Sequence, residues 1–178
     1  MARQVALLRG VNIASRNRIA MADLREVVEG LGYEDVKTLL MSGNAVFSST
    51  DRPDAAAAKI RAALKKQLGL DVGVLGRSRS EMAKIVDRNP LHGKATDPKR
   101  YSVVFLSGKP DAKVMREVDA AKYAPELFEA HGKEIYAWWP DGLRQAKLTH
   151  AFWERRLGLT ATARNWNTVE KLLAMASE

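Results

Sequence analysis

The sequence predicts an α+β fold of two ferredoxin-like units with largely antiparallel sheets, and three features of the chain lead to this prediction. Strand-like apolar runs alternate with segments of helical spacing along the 178 residues. Two pairs of strand-like runs flank short turns that contain glycine, which is typical of antiparallel hairpins. The second half repeats the order strand, helix, hairpin and helix, although its residue spacings differ from those of the first half.

The first half is predicted to hold a strand, a helix, a hairpin, a second helix and a strand, at Val5–Val11, Met21–Leu31, Val36–Met41 with Ala45–Ser48, Ala55–Leu68 and Asp71–Leu75. The hairpin is inferred from the Gly43-Asn44 pair, because glycine readily takes the positive φ that a tight turn requires. Pro53 is expected to open the second helix, since the first turn of a helix does not need its missing N–H.

The second half is predicted to hold a helix, a strand, a helix, a hairpin and two helices, at 78–89, Tyr101–Leu106, the segment after Asp111, Leu127–Ala130 with Glu134–Trp139, Ala151–Leu157 and Val169–Met175. Residues of capping type mark the helix starts: Ser78 with Glu81, Asp111, Thr149, and Asn167 with Glu170. We expect an N-terminal ferredoxin-like half at 1–77 and a C-terminal α+β half at 78–178, packed as one compact unit. Among the loops, the polar segment Leu91–Arg100 is the best candidate for a boundary between the halves.

The composition excludes several classes of protein. There is no cysteine, which removes disulfide scaffolds, thiolate metal sites and thiol nucleophiles. With 46% hydrophobic residues, the chain has enough apolar side chains for a core without such cross-links. No apolar run approaches the roughly 20 residues of a membrane span, and the first residues do not resemble a signal peptide. We therefore expect a cytoplasmic protein with no membrane partner.

The chain is strongly basic, with a formal charge of +8 and a pI near 9.8. Its cations form three clusters: Arg3 to Arg18, Lys59 to Lys66, and Arg144 to Arg164. Such a charge favours anionic partners, namely nucleic acid, nucleotides, phosphorylated metabolites or an acidic protein. The alternative is that these clusters are solvated faces that keep the protein soluble.

No established catalytic or metal-binding motif is present. The three histidines, His92, His131 and His150, lie in predicted turns or near a helix cap, so each is interpreted as a loop or capping residue. No catalytic residue, metal or cofactor can be assigned from spacing, and whether the protein is an enzyme stays open.

Three segments are candidate sites. Leu8–Asn12 ends a strand with Arg, Gly and Asn, which suits a phosphate or carboxylate. Ser42–Asn44 serves either as a plain hairpin turn or as part of a site. Thr162–Thr168 places Arg, Asn and Trp before a helix, which suits an anion or a stacked base. The alternative for this segment is an internal plug in which Trp166 is in the core and Arg164 pairs with an acidic side chain.

All four tryptophans lie in the last third of the chain, at Trp138, Trp139, Trp153 and Trp166. Together with nearby arginines and Lys147 they match the aromatic and basic composition of single-strand binding surfaces. One of two adjacent strand residues must face the opposite side of a sheet, so Trp138 and Trp139 cannot both line one surface.

The motifs VALLRGVN, MADLR, MSGNAVF and RNWNTVEKL resemble the bacterial domain-of-unknown-function family 1697, in the same order and over nearly the whole chain. The resemblance implies a duplicated ferredoxin-like arrangement and no assigned activity. The positions that it marks are Arg9, Gly10, Asn12, Ser42, Gly43, Asn44, Lys147, Arg164, Asn165, Trp166, Asn167 and Thr168. Two departures weaken a glycine-loop and a hydroxyl role: Ile13-Ala14-Ser15 where relatives have Gly-Gly, and Ala163 where they have Thr.

The leading hypothesis is a module that binds single-stranded nucleic acid or a nucleotide through a basic surface. Its phosphate contacts would come from Arg9, Lys147 and Arg164, its base or ribose contacts from Asn12, Asn44 and Asn167, and its stacking from Trp166. The alternatives are an enzyme that acts on a small phosphorylated metabolite and a non-catalytic interaction protein. The sequence does not indicate the ligand or the oligomeric state.

Overall fold

The computed structural model describes all 178 residues, Met1–Glu178, and its chain divides into two compact units. Unit 1 consists of Met1–Lys84 together with Lys171–Glu178, and unit 2 of Ile85–Glu170. Each unit contains one four-stranded sheet in which every pair of neighbouring strands is antiparallel. The predicted α+β class with duplicated antiparallel units is confirmed.

The sheet of unit 1 has the order β2-β3-β1-β4. Its strands are β1 Ala2–Leu8, β2 Glu34–Leu39, β3 Asn44–Ser49 and β4 Val74–Ser78. Helices α1, Met21–Gly30, and α2, Pro53–Leu68, pack against this sheet and against each other. Helix α2 begins at its proline as predicted, and it ends where Gly69 takes a left-handed conformation with φ 65°.

Helix α3, Arg79–Arg88, comes directly after β4. The predicted capping box is present: the N–H of Ser78 donates to the Glu81 carboxylate at 2.7 Å, and the N–H of Glu81 donates to the Ser78 hydroxyl at 3.0 Å. The helix ends before Asn89, because a residue that precedes a proline, here Pro90, is disfavoured in the helical conformation.

The sheet of unit 2 has the order β6-β7-β5-β8. Its strands are β5 Tyr101–Leu106, β6 Leu127–His131, β7 Glu134–Trp138 and β8 Ala161–Asn165. Its helices are α4 Ala112–Arg116 and α5 His150–Leu157, with short 3-10 turns at Ala120–Tyr123 and Leu143–Gln145. The last helix, α6 Trp166–Ala176, begins in unit 2, and its residues from Lys171 onward belong to unit 1. Asp111 and Thr149 cap α4 and α5 as predicted.

The two sheets have the same pairing register around their central strands β1 and β5. In the central strand of unit 1, Val5 pairs with Val46 and Arg77. In unit 2, Val103 pairs in the same way with Tyr136 and Arg164. The paired arginines are both buried, and each donates from Nη1 to the carbonyl of the preceding residue at 2.9 Å. The duplication is therefore one of strand order and register, although the residues differ at most of these positions.

Three predictions about strands and helices need correction. Strand β8 is absent from the prediction, because its sequence, ATARN, has only short or polar side chains and no apolar run that would indicate a strand. Helix α6 begins at Trp166, and its cap is Asn165 rather than the predicted Asn167 with Glu170. Strand β4 lies three residues later than predicted, because its pairing with β1 runs from Val74 to Ser78.

None of the helices has the length and the apolar character needed to cross a lipid bilayer.

Candidate functional site

The loop after β1 has an unusual backbone. Gly10, Asn12, Ala14 and Asn17 all have positive φ, with values of 67°, 55°, 53° and 50°. Residues other than glycine adopt this conformation uncommonly, asparagine more readily than alanine. A loop with three such residues must be held by surrounding interactions, and strained backbone of this kind clusters at functional sites.

Asn12 provides three of those interactions through its side chain. Its amide Nδ2 donates to the carbonyl of Ile19 at 3.0 Å and to the carbonyl of Met41 at 2.7 Å. Its Oδ1 accepts from the N–H of Ile19 at 2.9 Å. One side chain thus closes the loop on itself and joins it to the turn between β2 and β3. The predicted base or ribose contact of Asn12 would compete with these bonds.

The turn between β2 and β3 lies directly against the end of β1. The N–H of Leu8 donates to the carbonyl of Gly43 at 2.8 Å. A Cβ at Gly43, whose φ is 87°, would lie 2.7 Å from Val11 Cγ2 and 2.9 Å from Leu8 Cβ. Gly43 is needed for this close approach, which explains its place in the motif without a ligand.

Asn44 is fully buried, while the neighbouring Ser42 is exposed. The Asn44 amide donates to the carbonyl of Leu39 at 2.7 Å and to the Ser42 hydroxyl at 3.0 Å. Asn44 therefore shapes the turn from inside and presents Ser42 at the surface.

Arg9 and Gly10 complete this group at the end of β1. Both are partly exposed, and the N–H of Arg9 donates to the carbonyl of Gly73 at 2.8 Å. The carbonyl of Gly10 accepts from the Asn17 side chain at 3.0 Å. The structure thus brings six of the predicted site residues together at one end of the unit 1 sheet: Arg9, Gly10, Asn12, Ser42, Gly43 and Asn44.

A cavity of about 400 Å³ opens beside this group, and we call it the unit 1 cavity. Its lining residues come from the loop, α1, the turn and the end of α2: Asn12, Arg18, Ile19, Ala20, Asp23, Met41 and Leu68. Arg16 and Arg18 are exposed on the same loop, and neither guanidinium forms an ion pair. The N-terminus of α1 has no side-chain cap at Ala20, so its first N–H groups add positive potential there.

Of the seven residues that line this cavity, only Asn12 is among the predicted site residues. Arg16 and Arg18 belong to the first basic cluster of the sequence, but no motif singles them out. Met41 and Leu68 are also missed, although these residues are exposed by 59% and 44%. The positive φ values could not be read from residue types alone, because the alanine at position 14 does not favour that conformation.

The segment at Arg164 is a packed junction between β8 and α6. Arg164 is buried, and its Nη1 donates to the Thr162 hydroxyl at 2.8 Å and to the Ala163 carbonyl at 2.9 Å. Burial lowers the pKa of the Arg164 guanidinium to about 10. A guanidinium so far from solvent is poorly placed to meet a phosphate.

Trp166 is also part of the core of unit 2. Its indole stacks on the ring of Tyr101, with centroids 4.7 Å apart and planes 14° apart, and only 7% of the residue is exposed. Asn165 Oδ1 accepts from the N–H of Thr168 at 3.0 Å and so caps α6. Of the five residues from Arg164 to Thr168, only Asn167 is exposed. This arrangement favours the plug that the sequence left as an alternative.

The remaining tryptophans offer little surface for stacking. Trp139 and Trp153 are buried, and Trp138 alone is half exposed. The aromatic and basic pattern of the last third therefore describes a core and its surroundings rather than a row of exposed indoles.

Lys147 lies apart from the Arg164 segment within unit 2. Its side chain is exposed on a second cavity, of about 450 Å³, which we call the unit 2 cavity. None of the five residues from Arg164 to Thr168 lines this cavity.

A family model described as "Protein of unknown function (DUF1697)" matches residues 1–136, more than half of the chain. The chain belongs to this family. The matched range includes the ALLRGVN and MSGN motifs of this DUF1697 protein and ends before Arg164. The loop after β1 and the turn between β2 and β3 thus lie within the part that defines its membership.

The DUF1697 protein is similar to the solved structure of the conserved bacterial protein SP0830 from Streptococcus pneumoniae. The two share 22% sequence identity, 98% of each chain is covered, and the TM-score is 0.78. At this identity the likeness concerns the fold. No curated protein matches the sequence significantly.

Proposed function

We propose that this protein binds single-stranded nucleic acid and seats one nucleotide in the unit 1 cavity. The observation that carries the proposal is that Arg18 lines a preformed cavity and Arg16 lies on the same loop, both exposed and free of ion pairs. Guanidinium groups in this state keep their full capacity for phosphate oxygens. The formal charge of +8 adds a general attraction for a polyanion.

The lining of the unit 1 cavity suits a nucleotide better than a bare phosphate. Met41 and Leu68 supply an apolar wall against which the face of a base can pack. The Asp23 carboxylate can accept a hydrogen bond from an exocyclic amine, as acidic side chains do with cytosine. Arg18 and the open end of α1 supply positive charge for the phosphate.

The proposal specifies a single strand because of how a base would reach the cavity. A base that is paired and stacked in a duplex cannot enter a cavity of about 400 Å³ without leaving its stack. In a single strand the bases are already free to splay out onto a protein surface. A nucleic acid partner of this kind, and the absence of cysteine, fit the cytoplasm as the proposed location.

The experiment is a fluorescence anisotropy titration of a labelled mixed-sequence single-stranded RNA with the full chain and with Arg16→Glu/Arg18→Glu. We expect the variant to bind at least about tenfold more weakly, because two phosphate contacts become repulsive. The matched control is Arg52→Glu/Lys66→Glu, which makes the same charge change at exposed residues of unit 1 outside this loop.

Saturable binding that falls in the loop variant and persists in the control supports the proposal. Equal losses in both variants would mean that the net charge, and not the loop, attracts the RNA. No binding by the wild-type chain at low salt would contradict the proposal as a whole.

A further inference from the structure

The unit 2 cavity is built on a framework that is closed by hydrogen bonds. The Glu126 carboxylate accepts from the N–H of Lys147 at 2.9 Å and from the N–H of Leu148 at 3.0 Å. The Trp139 indole donates from Nε1 to the carbonyl of Leu148 at 3.1 Å. These bonds tie three separate chain segments together around the cavity, so its shape is set before any ligand arrives. Its volume of about 450 Å³ lies within the range of small-ligand pockets.

The charges on this cavity differ from those of the whole chain. Its lining contains two carboxylates, of Glu126 and Asp141, and one ammonium group, of Lys147, in a chain with eight more cations than anions. Glu126 already accepts the two backbone N–H groups. Asp141 is exposed and forms no hydrogen bond or ion pair through its side chain.

Asp141 and Lys147 carry opposite charges on one cavity, yet they do not neutralise each other. No ion pair joins the Lys147 ammonium to the carboxylate of Asp141 or of Glu126, so its nitrogen lies more than 4.0 Å from the oxygens of both. A gap of this kind can be bridged by a ligand that carries both charges. Tyr123 and Trp139 line the same cavity, and Tyr123, which is partly exposed, offers surface for an apolar group, whereas Trp139 is almost fully buried in the wall.

We propose that the unit 2 cavity binds a small zwitterion, namely an α-amino acid with an apolar side chain. The ammonium of the ligand pairs with Asp141, its carboxylate pairs with Lys147, and its side chain packs toward Tyr123 and Trp139. An inorganic anion would meet two carboxylates at this site, and a simple amine would leave Lys147 without a partner.

The test is isothermal titration calorimetry of the full chain with L-leucine, L-methionine, L-phenylalanine and L-tryptophan. Phenethylamine and 3-phenylpropionate serve as analogues of phenylalanine that lack one charge each. We expect saturable binding of at least one amino acid, and at least about tenfold weaker binding of both analogues than of phenylalanine. Failure of all four amino acids to bind at millimolar concentration would overturn the proposal, and so would an analogue that matches phenylalanine.

Two variants locate the site. Asp141→Asn and Lys147→Gln each remove one charge from an exposed side chain, so both are expected to fold, and each should weaken amino-acid binding at least about tenfold. The control Asp87→Asn/Lys109→Gln removes the same charges at exposed positions of unit 2 away from the cavity, and it should bind normally. Equal loss in the control would overturn the proposal. The loop variant Arg16→Glu/Arg18→Glu changes only unit 1 and should leave this binding unchanged.

Discussion

At the scale of single residues, Gly10 and Gly43 belong to the same motif set but have different reasons to be glycine. Both have positive φ, but a Cβ at Gly10 meets no atom within 4 Å, whereas one at Gly43 falls 2.7 Å from Val11 Cγ2. Replacing Gly10 with alanine should cost about 1–2 kcal/mol of stability for the left-handed backbone alone. Replacing Gly43 with alanine adds overpacking, which typically costs a further ~1–3 kcal/mol. Urea unfolding of the two variants measures the difference, and equal stabilities would show that Gly43 has no such close approach.

The variant Arg164→Ala tests whether the segment Arg164–Thr168 has a structural role. The guanidinium is buried and bonded to Thr162 and Ala163, so its removal leaves both a void and unpaired acceptors. Arg164→Ala should lower the free energy of unfolding by about 2 kcal/mol or more, which in a chain of this length is a fall in Tm of roughly 4–8 °C. Arg155→Ala, at an exposed position on α5, is the matched control and should melt within about 2 °C of the wild type. An Arg164 variant that melts like this control would contradict a structural role.

At the scale of elements, the paired strands β5 and β7 carry two buried tyrosines. Burial raises the pKa of Tyr101 to about 12, and it raises the pKa of Tyr136 further still. Their hydroxyls donate to Asn89 Oδ1 at 2.9 Å and to the Ile85 carbonyl at 2.7 Å. In unit 1, burial and the bond to Asp51 raise the pKa of Tyr33 to about 12.

These three tyrosines predict how stability depends on alkaline pH. A group whose pKa is higher in the folded than in the unfolded state stabilises the fold below its unfolded value, here near 10, and this stability is lost as pH rises toward 12. We expect stability to fall steeply across that window. In an absorbance titration of the folded protein, three of the four tyrosines should ionise late. In Tyr101→Phe one of these late steps should disappear, and tyrosines that all ionise near pH 10 in the folded chain would contradict the burial.

The elements also show which features a sequence can predict and which it cannot. Periodic segments with clear caps, such as α2 behind Pro53 and β5 at Tyr101–Leu106, are predicted correctly because local pattern and tertiary role agree. Strand β8 is missed because its burial comes from pairing with β5, which the letters ATARN do not reveal. The same holds for the site. Asn12 and Gly43 are selected by motif, but their bonds and close contacts depend on chain segments some 30 residues apart in sequence.

At the scale of the whole molecule, neither the basic charge nor the duplicated fold by itself determines which unit holds a site. Both units share strand order and register, so the fold gives them equal opportunity for a site. They differ in the segment after the first strand: unit 1 has the loop with Arg16 and Arg18, whereas unit 2 has Ser107 and Gly108 shortly before a proline. We therefore propose unit 1, because of this loop, as the part of the molecule that binds nucleic acid, and the total charge would add to the attraction.

The most direct test of phosphate binding at the unit 1 loop is the salt dependence of single-stranded RNA binding, measured by anisotropy for the wild type and for Arg16→Glu/Arg18→Glu. Each phosphate neutralised on a single strand contributes about −0.7 to the slope of log K against log salt. We predict a clearly negative slope for the wild type, with a slope about 1.4 units shallower in the variant, because two phosphate contacts are lost. A wild-type affinity that does not change with salt, or a variant with the wild-type slope, would contradict phosphate binding at this loop.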